Sequence, residues 1–269
     1  YQALLNHGIS GLLEVINNTT PQDSIQEQTK QAYLIAINAL KTFILRHSNA
    51  VMPDFYLHKY HSDEIQNITH NPPATFFQAL QLLWFAHILL HIENPSVAIS
   101  FGRIDQLLYP FLKNDLENNR TTIQDAFDLV CAFLLKCSEG EESQNIVIGG
   151  SEKENLLSFL FLDAMKKMKT IQPSISVSIG KGSSDEFMDS CAELVMQKTG
   201  NPGFMNEDVA VESLRNTGIV DIDIDNWSIV GCYELTISGK CYPNTVLGRL
   251  NLPKELTAYI VKSSNLPEC

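Results

Sequence analysis

Between residues 145 and 232, short β-branched runs alternate with longer helix-period runs, and few folds accept such a chain. NIVIGG at 145–150 is a β-branched run closed by two glycines, the signature of a strand entering a turn. A helical stretch over 154–169 leads to SISVSIGK at 174–181, where Ile175, Val177 and Ile179 alternate with serine. A helix over 184–199 comes next, then a turn, a short helix around 207–216, an acidic DIDID loop and a third strand, WSIVGC. Strands separated by helices make an α/β barrel or an open sheet covered by helices.

The first half of the chain reads as helical. The first twenty residues form a helix ending near Asn17 to Pro21, and 25–47 carries apolar positions at helical spacing. His58, His61 and His70 fall in a less regular segment over 50–74, which ends in the breaker NPP, and Thr75 is placed to cap the following helix. That helix holds the most apolar run, FFQALQLLWFAHILLHI at 76–92. It is 17 residues long and interrupted by two Gln and two His, so it reads as buried on most sides rather than as a membrane span. His87 and His91 stand four apart on it, a spacing that can bind metal. No HExxH motif or acidic ligand accompanies them, and they read as core histidines. After Ile92 come a turn, a short alternating strand and another helix-like stretch, then a helix over 122–138 in which Cys131 and Cys137 read as packing residues.

The formal net charge of -12, with lysines and arginines scattered, argues against a nucleic-acid footprint or an anionic membrane surface. The N-terminal residues show no signal-peptide pattern, and the six cysteines contain no CxxC pair, so free thiols in a cytoplasmic protein are expected. Neither GxGxxG nor GxxxxGK[ST] is present, so Gly149 and Gly150 do not mark a phosphate loop. One domain is expected.

The end of the third strand, GCYE at 231–234, carries the chemistry. If 229–234 stays extended, Cys232 and Glu234 point to one face and Tyr233 to the other. A nucleophilic cysteine needs a nearby histidine or helix N-terminus, and an adjacent carboxylate opposes the thiolate. A metal site needs more ligands than Cys-x-Glu. Hydrogen-atom chemistry needs a neutral S–H and gains from a carboxylate that accepts a proton, and the neighbouring glutamate fits this best. Spacing alone also leaves open a structural cysteine beside a surface glutamate.

GCYE, with an apolar strand before it, resembles the GCVEP cysteine loop of glycyl radical enzymes, the pyruvate formate-lyase-like family of dehydratases, lyases and decarboxylases. Further stretches follow in family order. NPPATFFQALQLLWFAHILLHIE is similar to the family's NPP-containing helix, and SFGRIDQLLYPF to its GR(L/F)DQ-LYP signature. NIVIGG, QPSISVSI and NPGFMNEDVAVESL also resemble family segments. The resemblance covers nearly the whole chain.

It implies part of a ten-stranded α/β barrel with surrounding helices. Cys232 would become the thiyl radical that takes a hydrogen atom from a small-molecule substrate, and Glu234 the general base. The family keeps its radical on a glycine in an R-V-x-G-(Y/F) loop, and this sequence holds no such motif. The chain is therefore expected to be a partial domain over 1–269, a middle portion with roughly half the barrel, inactive alone. In the intact protein the resemblance implies no bound cofactor or metal. It also implies a glycyl radical installed by a radical S-adenosylmethionine iron–sulfur activating enzyme, and a homodimer.

Departures from the family pattern bear on the substrate. Tyr233 stands where pyruvate formate-lyase proper has a second cysteine, which disfavours pyruvate cleavage. Val97 and Ala98 replace the His-Ser of polyol dehydratases, Val246 replaces an Asp, Leu235 a proline and Ser178 a common arginine. The pocket is expected to be less polar than a glycerol site, with Tyr242, Asn244 and Thr245 as candidate lining residues. A truncated, non-catalytic relative that binds a ligand or partner is the alternative, although it needs neither Cys232 nor Glu234.

Overall fold

The computed structural model describes residues 1–50, 62–93, 98–140, 144–231, 233–241 and 250–264. Four helices open the chain: α1 (Gln2–Asn18), α2 (Ser24–Ala50), α3 (Ser62–Asn67) and α4 (Phe76–Glu93). An α/β portion follows. It runs β1 (Gly102–Arg103), α5 (Ile104–Glu117), α6 (Ile123–Ser138), β2 (Asn145–Gly149), α7 (Leu156–Met168), β3 (Ser174–Ile179), α8 (Asp185–Val195), β4 (Gly203–Asn206) and α9 (Glu207–Asn216). The short α10 (Asp221–Ile224) leads to β5 (Trp227–Val230) and β6 (Glu234–Ile237), and α11 (Leu252–Ser264) comes last.

Strands β1 to β4 form one parallel sheet in chain order, with Val147 opposite Ser176 and Ser176 opposite Gly203. Parallel neighbours need helical crossovers, and side-chain caps start most of their helices. Thr122 and Asp125 form a capping box at α6, Asn155 and Ser158 another at α7, and the Ser184 and Asn206 side chains cap α8 and α9. The alternating strand expected after Ile92 is only Gly102–Arg103, and the helix expected over 184–199 ends at Val195. Strand β4 lies in what the sequence showed only as a turn.

Strand alternation gives the sheet two buried faces. Ile146, Ile148, Ile175 and Val177 pack with Leu157, Phe161 and Phe187 in the main core beneath the helices. On the other face Val147 joins Trp227, Ile229 and Ile237 of the β5–β6 segment. Ser176 and Ser178 share the face of Val147 and are fully buried. The serine positions of SISVSI therefore meet protein rather than solvent.

Helix α4 is long and apolar enough by length and composition to cross a membrane, and its packing explains why. Phe76, Ala79, Leu80 and Leu83 enter the main core, while Leu82 and Phe85 enter a second core with Leu4, Ile9, Leu40, Ile44 and Ile68. Thr75 Oγ1 accepts from Gln78 N at 3.2 Å, as expected of a cap. The stripe of α2 is only partly used: Leu40 and Ile44 are buried, whereas Ile25, Tyr33 and Ile35 are exposed. Cys131, Cys137 and Cys191 are buried free thiols, in keeping with packing roles, and Cys241 is exposed.

His87 is a core histidine. Its ring stacks on Phe101 at 3.8 Å between centroids, Nδ1 lies 2.7 Å from the Tyr1 hydroxyl, and Nε2 lies 3.0 Å from His91 Nε2. Among the described residues no group of three or more His, Cys, Asp or Glu is arranged to hold a metal ion. Burial, with a smaller contribution from His91, lowers the His87 pKa from 6.5 to about 3. The unfolded chain therefore binds this proton first. The stabilisation is complete above pH 6.5 and is lost as pH falls toward 3. Urea midpoints should drop between pH 7 and pH 4, and His87→Gln should flatten that dependence.

Candidate active site

The site is built where the parallel strands end. The GRID stretch leaves β1 with Arg103 on the face of Val147 and starts α5 with Asp105. Arg103 is buried, and its Nη2 donates to Gly149 O at 2.6 Å. Asp105 accepts from Gly149 N at 2.7 Å, Ser158 Oγ at 2.6 Å and Gln106 N at 2.8 Å. Burial raises the Asp105 pKa, opposed in part by those donors and by Arg103. Gln106 Nε2 donates to Lys153 O at 2.7 Å, so three side chains of one short motif grip the loop after β2.

The double glycine has a steric reason. Gly149 has φ 76° and Gly150 φ 125°. A Cβ on the first would collide with the Phe187 ring, and one on the second with Arg103 Nη2. The anion beside these glycines is internal: Glu207, at the start of α9, accepts from Ser151 N and stands 3.6 Å from Arg103 Nη1 and 3.8 Å from Lys153 Nζ. The Arg103 guanidinium also lies 5.3 Å from the centre of the Trp227 ring, which ties the strand ends to β5.

Strands β5 and β6 pair with each other as an antiparallel hairpin, with Trp227 opposite Ile237 and Val230 opposite Glu234. This corrects the reading of WSIVGC as a third strand of the main sheet. It also corrects the extended geometry expected for 229–234, because Gly231 (φ 56°) and Tyr233 (φ 77°) are turn residues. The Tyr233 ring rests against Gly203 of β4. Glu234 opens β6 and folds back over Gly231, where an added Cβ would lie 2.7 Å from Oε2. That oxygen is buried and has no hydrogen-bond partner among the described residues. Ser178 Oγ, Ser228 Oγ and Trp227 Nε1 are likewise buried and unpartnered.

Of the other candidates, Ala98 is half-buried in the segment before β1. Cys232, Val97, Tyr242, Asn244, Thr245 and Val246 lie outside the described residues. A cleft of about 250 Å³ opens among Gln2, Arg103, Gln106, Leu107, Lys153, Asp225 and Asn226. It lies at the base of the hairpin, whereas Glu234 is at the tip. Arg103, Asp105 and Glu207 lie in the GRID and FMNED stretches, and the sequence alone assigned them no role. An arginine and two carboxylates at strand-to-helix junctions were the available signal.

A parallel α/β sheet with helices on one face and a hairpin on the other is the architecture of part of an α/β barrel. The chain belongs to the pyruvate formate lyase-like family, whose model matches residues 59–264. Probable dehydratase YbiW of Escherichia coli (strain K12) is 30% identical over 96% of this chain and 37% of its own length. A structure described under 1,2-propanediol dehydration in Roseburia inulinivorans is similar with TM-score 0.78 and 25% identity, over 88% of this chain and 34% of that one. A glycyl radical enzyme from Archaeoglobus fulgidus is similar with TM-score 0.76 and 27% identity, over 88% and 35%. The chain thus spans about a third of the length of these proteins. Its sheet and hairpin form part of the α/β barrel of glycyl radical enzymes.

Arg103 and Glu207 are a buried charge pair, so removing one partner strands the other. Glu207→Ala should cost about 3–5 kcal/mol in urea unfolding. Glu207→Gln should cost less, because its amide oxygen still accepts from Ser151 N.

Proposed function

We propose that residues 1–269 are a partial pyruvate formate-lyase-like domain, the thiol-bearing portion of a glycyl radical lyase or dehydratase. The observation that carries this is Glu234, whose buried, unpartnered Oε2 stands at a hairpin tip two residues after Cys232. An unpaired buried carboxylate oxygen is costly to the fold and suited to accepting a proton from a bound molecule. The kinship with Probable dehydratase YbiW supports the same reading.

In this reading the intact enzyme's glycyl radical, installed by a radical S-adenosylmethionine iron–sulfur activating enzyme, supplies the unpaired electron. Cys232, as a thiyl, takes a hydrogen atom from a substrate C–H bond, forming S–H and a carbon radical. Glu234 accepts the proton of a hydroxyl on that carbon. The electron pair left on oxygen forms a carbonyl as the group on the neighbouring carbon leaves with its bonding pair. The Cys232 S–H then returns its hydrogen atom to the product radical. With these steps the bond cleaved in a small substrate is C–O or C–N; C–C cleavage, the other option, would use the same thiyl without loss of an anionic leaving group. The working enzyme is a cytoplasmic homodimer that uses no metal in this domain and contacts neither nucleic acid nor membrane.

In the intact, activated enzyme Cys232→Ser should abolish turnover while the glycyl radical signal persists in electron paramagnetic resonance, because an alcohol O–H is too strong to relay the radical. Glu234→Gln should slow elimination by roughly 10²–10⁴-fold and still permit deuterium exchange between labelled substrate and the thiol. Near-normal turnover by Glu234→Gln would remove the base role. The pocket is less polar than a glycerol site in this reading, with the small Ser178 on the hairpin side of β3 where an arginine is common in the family. Wild type should therefore dehydrate glycerol poorly, and Val246→Asp should raise that activity.

A further inference from the structure

Tyr233 is the part of the hairpin tip that the chemistry above does not use. Its backbone is left-handed (φ 77°), a conformation unfavourable for an L residue, so contacts elsewhere must hold it there. The side chain is 44% exposed, and its hydroxyl makes no hydrogen bond among the described residues. What it does have is a seat. A Cβ built on Gly203 would lie 2.5 Å from the Tyr233 hydroxyl oxygen and 2.6 Å from Cε1. Gly203 has no left-handed φ of its own, and its partner across the sheet is an ordinary serine, Ser176. The ring is thus the feature that demands a glycine at this point of β4. Leu235, on the other side of Glu234, packs with Met205 against the same apolar cluster as Trp227. Glu234 thus sits between Tyr233, seated on β4, and Leu235, packed on the cluster of Trp227.

We infer that Tyr233 is a positioning residue: its ring, seated in the notch at Gly203, fixes the hairpin tip on β4 and so sets where the Glu234 carboxylate stands. The catalytic consequence rests on the proposed function, whereas the seating does not. Two sets of measurements separate them.

The first set uses the intact protein, not yet activated, with Gly203→Ala, Tyr233→Leu and the double variant, read by hydrogen exchange of the amides of 227–237. Gly203→Ala should speed exchange by displacing the ring. The double variant should exchange no faster than Tyr233→Leu alone, since no ring remains to displace. Additive effects would overturn the seating. The second set measures kcat and KM in the intact, activated enzyme. Tyr233→Phe keeps the ring and should keep turnover close to that of the unaltered enzyme. Tyr233→Leu and Gly203→Ala should each lower kcat by about 10²-fold, the cost of a catalytic group displaced by about 1 Å, with KM little changed. A loss in Tyr233→Phe equal to that in Tyr233→Leu would overturn positioning in favour of a role for the hydroxyl. Normal kcat in Gly203→Ala, with fast hairpin exchange, would overturn the link to Glu234. Turnover by Cys232→Ser would sink the proposed function and leave the seating result standing.

Discussion

A parallel sheet must be covered on both faces, and the rest of this structure follows from that constraint. Helices cover the face of Ile146, Ile148, Ile175 and Val177. The face of Val147, Ser176 and Ser178 is closed by a hairpin of the same chain, with Trp227, Ile229 and Ile237 packed on Val147. In a barrel the inner face is where a substrate would lie. The element that covers that face here is also the one that carries the candidate acid–base group. Packing and chemistry are therefore coupled: a change in how the hairpin meets β4 moves Glu234.

The strand ends show how such a junction is held without an apolar plug. Arg103 reaches Gly149 O, the Trp227 ring and Glu207, while Asp105 collects three donors and Glu207 accepts from Ser151 N. Each charge is desolvated and each has an opposite charge or donors, the condition under which buried ions are tolerated. The glycines at 149 and 150 let the arginine and the Phe187 ring come this close. A lattice of directional contacts also fixes one arrangement of the strand ends, which apolar contacts alone specify less sharply.

Much of this was legible in the sequence because it is local. Apolar periodicity marked α2, α4, α6 and α7, and β-branched runs marked β2, β3 and β5. Thr75 read as a cap and acts as one. His87 read as a core residue and is fully buried. Strand β4 was not legible: GFMN follows a proline, is four residues long and has no β-branched residue, so only its pairing with Ser176 to Ile179 makes it a strand. The hairpin was misread for a similar reason. WSIV looks like any buried strand, and nothing in its composition says whether its partner is parallel or antiparallel.

By itself the sequence determined the α/β alternation, the helix starts and the GCYE motif, all of which depend on residues within a turn or two of one another. The tertiary structure decided which strands pair, that the serine face of β3 is buried, and that Arg103, Asp105 and Glu207 hold the strand ends together. It also decided that the Tyr233 ring lies on Gly203. Outside the β5–β6 hairpin, these contacts join residues 27 to more than 100 positions apart. No local pattern encodes such distances, because they are set by how the sheet closes and what must cover its inner face.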